Sequence, residues 1–127
     1  MSVFSHLLTG DSAAFYANVA DDVVWTVMGE NHPLAGRYIS KDQFLRESYD
    51  RVGKVLDAPM KLAVRSVILE GDWAVVELVG QGGRLKSGRE YNNTYSWTTR
   101  WNDGLKIVEV RAYLDTAMLK EALANNE

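Results

Sequence analysis

The chain has 127 residues, 46% hydrophobic and 24% charged, with a net charge of −3 at pH 7 and no cysteine. That length suits one domain over residues 1–127, and a mild negative charge without a basic stripe argues against nucleic-acid binding. Disulfides and thiol catalysis are excluded, and no apolar run approaches the roughly 20 residues that cross a bilayer.

Met1–His6 has neither the basic start nor the apolar stretch of a signal peptide, so a cytoplasmic protein that meets no membrane is expected. Val3–Leu8 is a short apolar helix candidate. Asp11 suits the N-cap of a second helix from Ser12 to Ala20, which Asp21-Asp22 interrupts. Val23–Met28 is β-branched and aromatic, as strands are. Gly29–Gly36 is a loop by its Gly and Pro content, and Arg37–Ile39 is a short strand. Ser40-Lys-Asp-Gln43 has capping-box form and starts a helix to about Leu56, with Phe44, Leu45, Tyr49, Val52, Val55 and Leu56 as its apolar stripe.

After Pro59 the hydrophobic period changes from 3.6 to 2. Met60–Leu69, Trp73–Gly80, Glu90–Trp101 and Lys106–Leu114 read as four strands of an antiparallel meander. Turns at Glu70-Gly-Asp72, Lys86–Arg89 and Asn102-Asp-Gly104 join them, and Gly82-Gly83 is a candidate bulge. Thr116 suits the cap of a last helix, Ala117–Ala124, and Asn125–Glu127 is expected to fray. Helices followed by a long meander make an α+β fold. The expected architecture is a cone-shaped, curved antiparallel sheet, mixed at its edge, with three to four helices over its concave face. Trp73, Trp97 and Trp101 cannot all be buried in so small a hollow domain. A homodimer through the back of the sheet is therefore expected.

Several phrases carry a resemblance. They are Gly10-Asp11, Asp21-Asp-Val-Val-Trp25, Pro33-Leu-Ala-Gly36, Asp103-Gly-Leu-Lys-Ile107 and Arg111-Ala-Tyr-Leu-Asp115. Together the chain resembles the SnoaL-like, ketosteroid isomerase-like branch of the nuclear transport factor 2-like superfamily. The resemblance implies a cone-shaped pocket, usually a dimer, and isomerase, cyclase, hydrolase, dehydratase or purely binding functions. Asp115 matches an acid/base aspartate at the end of the last strand in SnoaL-like cyclases and epoxide hydrolases. The isomerase machinery does not carry over. The first helix has no tyrosine, Trp25–Met28 has no acid, and Trp97 stands where the strand acid would be. Trp73–Gln81 offers only Glu77 where epoxide hydrolases need a carboxylate and an arginine.

Two residues are candidates for catalysis. Asp115 is either a general acid/base or merely the cap of the last helix; Arg111, Tyr113 and Asp115 share one sheet face with Glu109. His32, in the loop before Pro33, is a proton-transfer candidate by residue type, or is simply solvated. For ligand binding, Tyr91, Asn93, Tyr95 and Trp97 alternate onto one face, which is assigned to the pocket because the alternate set is more polar. Trp25, Met28, Tyr38 and Tyr49 join them as core and pocket wall, with Arg111 and Tyr113 beside Asp115. No phosphate loop or nucleophile elbow is present, and two histidines without ligand spacing give no metal site. The expected ligand is a small apolar or polycyclic carbonyl compound, handled without a cofactor, either by a proton-transfer enzyme or by a non-catalytic binder.

Overall fold

The computed structural model describes residues 2–127. Helix α1 (Ser2–Leu8) turns Phe4 and Leu7 inward. Helix α2 (Ser12–Tyr16) is capped by Asp11, whose carboxylate accepts from the Ala14 amide at 3.0 Å. It stops four residues short of the expected end. Val19 and Ala20 instead open strand β1 (Val19–Val27), where β-branched residues dominate and Ile107 donates to the Asn18 carbonyl at 2.9 Å. Asp21 and Asp22 lie exposed within this strand, where the register shifts between Val19 and Val24.

Strand β2 (Gly36–Tyr38) pairs with β1. The capping box forms: the Ser40 hydroxyl accepts from the Gln43 amide at 3.0 Å, and the Gln43 side chain reaches back to the Ile39 amide at 2.9 Å. The helix that follows is one run in three parts: α3 (Lys41–Phe44), a π-helical turn (Leu45–Tyr49) and α4 (Asp50–Val55). The Asp50 amide reaches the Leu45 carbonyl five residues back. The wider turn rotates Tyr49 and Asp50 relative to a regular helix. Strand β3 (Leu56–Ala58) then pairs with β6 (Arg84–Leu85) in a small separate ribbon.

The main sheet has the order β2-β1-β8-β7-β5-β4, where β4 is Lys61–Glu70, β5 Trp73–Gln81, β7 Thr94–Trp101 and β8 Ile107–Leu114. All pairs are antiparallel except β1 with β8. The expected meander is therefore β4, β5, β7 and β8, with β1 making the edge mixed. The strand expected from Glu90 begins only at Thr94. Before it, the chain crosses closely over Gly83, where a Cβ would stand 2.1 Å from the Tyr91 carbonyl oxygen. No larger residue fits there, so the glycine pair serves close backbone approach. Helix α5 (Thr116–Asn126) is capped by Asp115, not Thr116. Its expected frayed end is tied down: Glu127 pairs with Arg51 at 2.8 Å, and the Asn126 side chain accepts from the Ser87 amide at 2.9 Å.

The concave face of the sheet carries Trp25, Val76, Leu78, Trp97, Val110 and Ala112, all buried. Phe15, Phe44, Leu119 and Leu123 pack over it from the helices. Each such side chain contributes roughly 1.5–3 kcal/mol when fully buried. Among the described residues no helix is long and apolar enough to cross a membrane.

Candidate functional site

Helices and sheet do not close completely. Between them lies a cavity of about 560 Å³, within the usual range for small-molecule sites. The sheet supplies Val27, Leu62, Tyr95, Trp97, Ala112 and Leu114 to its wall. The helices supply Leu7, Tyr16, Phe44, Ser48 and Leu119. The exposed residues of the lining, among them Gly10, Tyr49, Asp50, Lys54 and Lys61, form the rim.

The ionisable groups inside are phenols, and burial keeps them neutral. Desolvation pushes the Tyr16 phenol well above its ordinary value, and the nearby Tyr49 and Asp50 act in the same direction. Burial does the same to Tyr95, with Tyr91 adding to it. Tyr91 is also raised by burial, against the opposing pull of hydrogen bonds from Asn93 and Tyr95. Protonated phenols at neutral pH are hydrogen-bond donors. Tyr16 has its ring edge-on to Tyr49 at 5.3 Å, and its hydroxyl finds no hydrogen-bond partner among the described residues. Trp97 is wedged among Phe15, Trp25 and Tyr95, with ring centroids 5.9, 5.3 and 5.8 Å away. Its indole N–H is sealed and has no partner among the described residues.

Of the residues singled out from sequence, Tyr49, Tyr91, Tyr95 and Trp97 meet at this cavity. The other eight lie elsewhere. Trp25 sits behind the wall, stacked on Phe44 at 4.1 Å. Tyr38 donates its hydroxyl to the Leu34 carbonyl at 2.8 Å. His32 is buried in the β1–β2 loop, its Nε2 bonded to the Met28 carbonyl at 2.8 Å and its ring over Gly29. That bond and that packing hold both His32 and Met28 in the loop, away from the hollow. Asn93 uses its whole amide as a clamp. It donates to the Tyr91 hydroxyl at 3.0 Å and the Asp115 carbonyl at 3.1 Å, and accepts from the Thr94 and Asp115 amides at 2.8 and 3.0 Å.

Register explains the remaining three. Trp97 lies opposite Ala112, so Ala112 and Leu114 share its concave face. Arg111 and Tyr113 therefore point from the convex side, where Arg111 covers Trp73 at 4.8 Å and bonds Glu109 at 3.1 Å. Asp115 is exposed, caps α5 through the Met118 amide at 3.0 Å, and borders a separate shallow hollow with Glu121 and Asn125. Its carboxylate is not part of the large cavity's lining.

Among the lining residues missed from sequence are Tyr16, Ser48, Asp50, Lys54 and Lys61. Asp50 is the one carboxylate among the described lining residues. Tyr16 was hidden because its helix was read as continuing to Ala20. Asp50, Lys54 and Lys61 were hidden because solvated charges on a helix or strand carry no pattern that distinguishes a rim from any other surface.

The profile of the SnoaL-like domain matches residues 2–110, most of the chain. The chain belongs to the SnoaL-like domain family. It is 28% identical over 123 residues to the dimerizing cyclase phiC of a fungal species, a match covering 94% of this chain and 54% of that protein's length. The chain thus spans about half of that relative. Its fold is similar to an NTF2-like protein from Burkholderia thailandensis, with a TM-score of 0.77 and 24% identity over 95% of this chain and 91% of that one. It is also similar to IdmH, a putative polyketide cyclase from Streptomyces antibioticus, with a TM-score of 0.70 and 19% identity over 96% and 93% of the two chains.

Proposed function

We propose that this protein is a cofactor-independent pocket enzyme of the cyclase or isomerase type, acting by proton transfer on a small apolar carbonyl or polycyclic compound. The observation that carries this reading is the cavity of about 560 Å³, whose wall pairs apolar surface with the neutral phenols of Tyr16 and Tyr95. A preorganised donor in a water-poor site stabilises oxygen charge that develops as a proton leaves the carbon beside a carbonyl. Asp50 at the rim takes the role of base in this reading, and Tyr16, whose pKa it influences, that of donor. Apolar walls that hold a flexible substrate folded would contribute by orientation. The names of the relatives, a dimerizing cyclase and a putative polyketide cyclase, support ring-forming chemistry.

The test is hydrogen exchange in 2-tetralone, an apolar bicyclic ketone, followed by proton NMR in deuterated buffer. The protein should accelerate exchange beside the carbonyl, and Asp50→Asn should abolish most of that acceleration while leaving binding within about threefold, since a base contributes on the order of a hundredfold or more. Binding without acceleration would overturn the enzymatic reading. The second reading, a non-catalytic binder, is favoured by the positions of Asp115 and His32 outside the cavity lining.

The convex face supports a homodimer in the same proposal. It presents Ile68 and Tyr113, 63% and 48% exposed, around the half-buried Trp73 and Val75.

A further inference from the structure

The cavity lining carries three charges, all on exposed rim residues: Lys54 on α4, Lys61 at the start of β4, and Asp50. Two cations against one anion give the mouth a net charge of +1, while the chain as a whole carries −3. The local sign is therefore opposite to the global one. Neither lysine is committed elsewhere. The other charged pairs engage Lys41 with Asp21, Arg46 with Asp42, Arg51 with Glu127, Arg65 with Glu77, Arg89 with Glu121, and Arg100 and Arg111 with Glu109. The Lys54 and Lys61 ammonium groups make no ion pair or hydrogen bond to any described residue. The Lys61 stem runs beside Gly10, its Cε 3.7 Å from where a Cβ would stand, so it lies across the mouth between β4 and the α1–α2 turn.

The inner wall has a different character. Its polar side chains bear hydroxyls, those of Tyr16, Ser48 and Tyr95 among them, set in aliphatic and aromatic surface. A molecule that satisfies both ends needs an apolar body bearing an acceptor oxygen, and an anion at the end left in the mouth. We infer that the ligand of this cavity is the anion of an apolar acid, with its ring system or chain in the hollow and its carboxylate or enolate held at the rim by Lys54 and Lys61. This rests on the pocket reading above and narrows its substrate class from carbonyl compounds in general to acidic ones. Asp50 stands at the same rim and repels the anion, so the lysines set the preference only by outnumbering it. Exposed pairs of this kind are weak singly and are screened by salt.

The test compares 2-naphthylacetate with 2-naphthylacetone, a neutral ketone of nearly the same shape, by calorimetry on the full chain at 0.05 M and 0.5 M salt. At low salt the acid should bind about fivefold more tightly than the ketone, equivalent to about 1 kcal/mol. The preference should shrink toward unity at high salt and in the double variant Lys54→Met, Lys61→Met, which keeps both stems and changes only exposed residues. Equal binding of the two probes by the unaltered protein, or a preference that survives the double variant, overturns the inference and leaves the pocket standing. Binding of neither probe overturns the pocket reading and the inference with it.

Discussion

The Asp115 carboxylate accepts a hydrogen bond from the Met118 amide at 3.0 Å, one of the donors that the first turn of any helix leaves unpaired. Removing it strands that donor. Asp115→Ala should cost about 1 kcal/mol, seen in calorimetry as a fall in Tm of about 3–6 °C. Asp115→Asn should leave Tm within a degree or two, because asparagine caps almost as well. A loss of activity in the asparagine variant at unchanged Tm would instead assign the carboxylate a chemical task. The spacing of Arg111, Tyr113 and Asp115 correctly placed the first two on one sheet face. It could not say which face, because β8 alternates Val110, Ala112 and Leu114 with Glu109, Arg111 and Tyr113, and both sets contain bulky side chains. The small residue at 112 is the signal, since it makes room for Trp97 opposite. Asn93 shows a further limit. A buried amide among aromatics suits a ligand contact and a backbone clamp equally well, and only the four bonds it makes separate the two.

At the scale of elements, the helical wall of the cavity is three short pieces rather than one regular helix. Its last piece, α4, carries Gly53 in its interior, and nothing lies within 4 Å of where a Cβ would stand. Glycine in a helix costs roughly 0.5–1 kcal/mol relative to alanine, chiefly through the freedom it regains on unfolding. Gly53→Ala should therefore raise the unfolding free energy by about that amount in urea denaturation. A decrease would mean that the α4 backbone is held away from helical geometry in the folded protein. The capping box at Ser40 and the stripe from Phe44 to Val55 made this helix legible, because both signals are local. The π turn was not legible, because one extra residue in a turn leaves the apolar stripe intact while shifting its phase. The end of α2 was missed for a related reason. Val19 fits a packed helix by hydrophobicity alone, and its pairing with Ile107, 88 positions away, cannot be seen locally.

At the scale of the whole molecule, the sheet closes a hollow on one side and leaves its other side open. The open face, over five long strands of about eight residues, measures roughly 27 Å by 19 Å. That is roughly 500 Å², about two-thirds of the roughly 800 Å² per partner of a standard interface. Around Trp73 one carboxylate faces two guanidinium groups, a local charge of +1. Glu109 accepts from Arg100 at 3.3 Å and from Arg111 at 3.1 Å, and both guanidinium groups lie over the Trp73 ring. A second copy laid on this face would bury Ile68, Val75 and Tyr113 while leaving those ion pairs formed, and the twofold arrangement needs no other surface. The expected behaviour is a dimer at micromolar concentration in light scattering. The double variant Ile68→Glu, Val75→Glu should scatter as a monomer. Because both side chains point away from the cavity, it should still bind 2-tetralone with affinity within about threefold of the parent. A parent protein that scatters as a monomer at tens of micromolar would remove the sheet-back dimer. A double variant that stays dimeric would move the interface to another face. Loss of the dimer together with loss of binding would instead tie the shape of the hollow to the second copy, since the strands that face the partner also form the cavity wall.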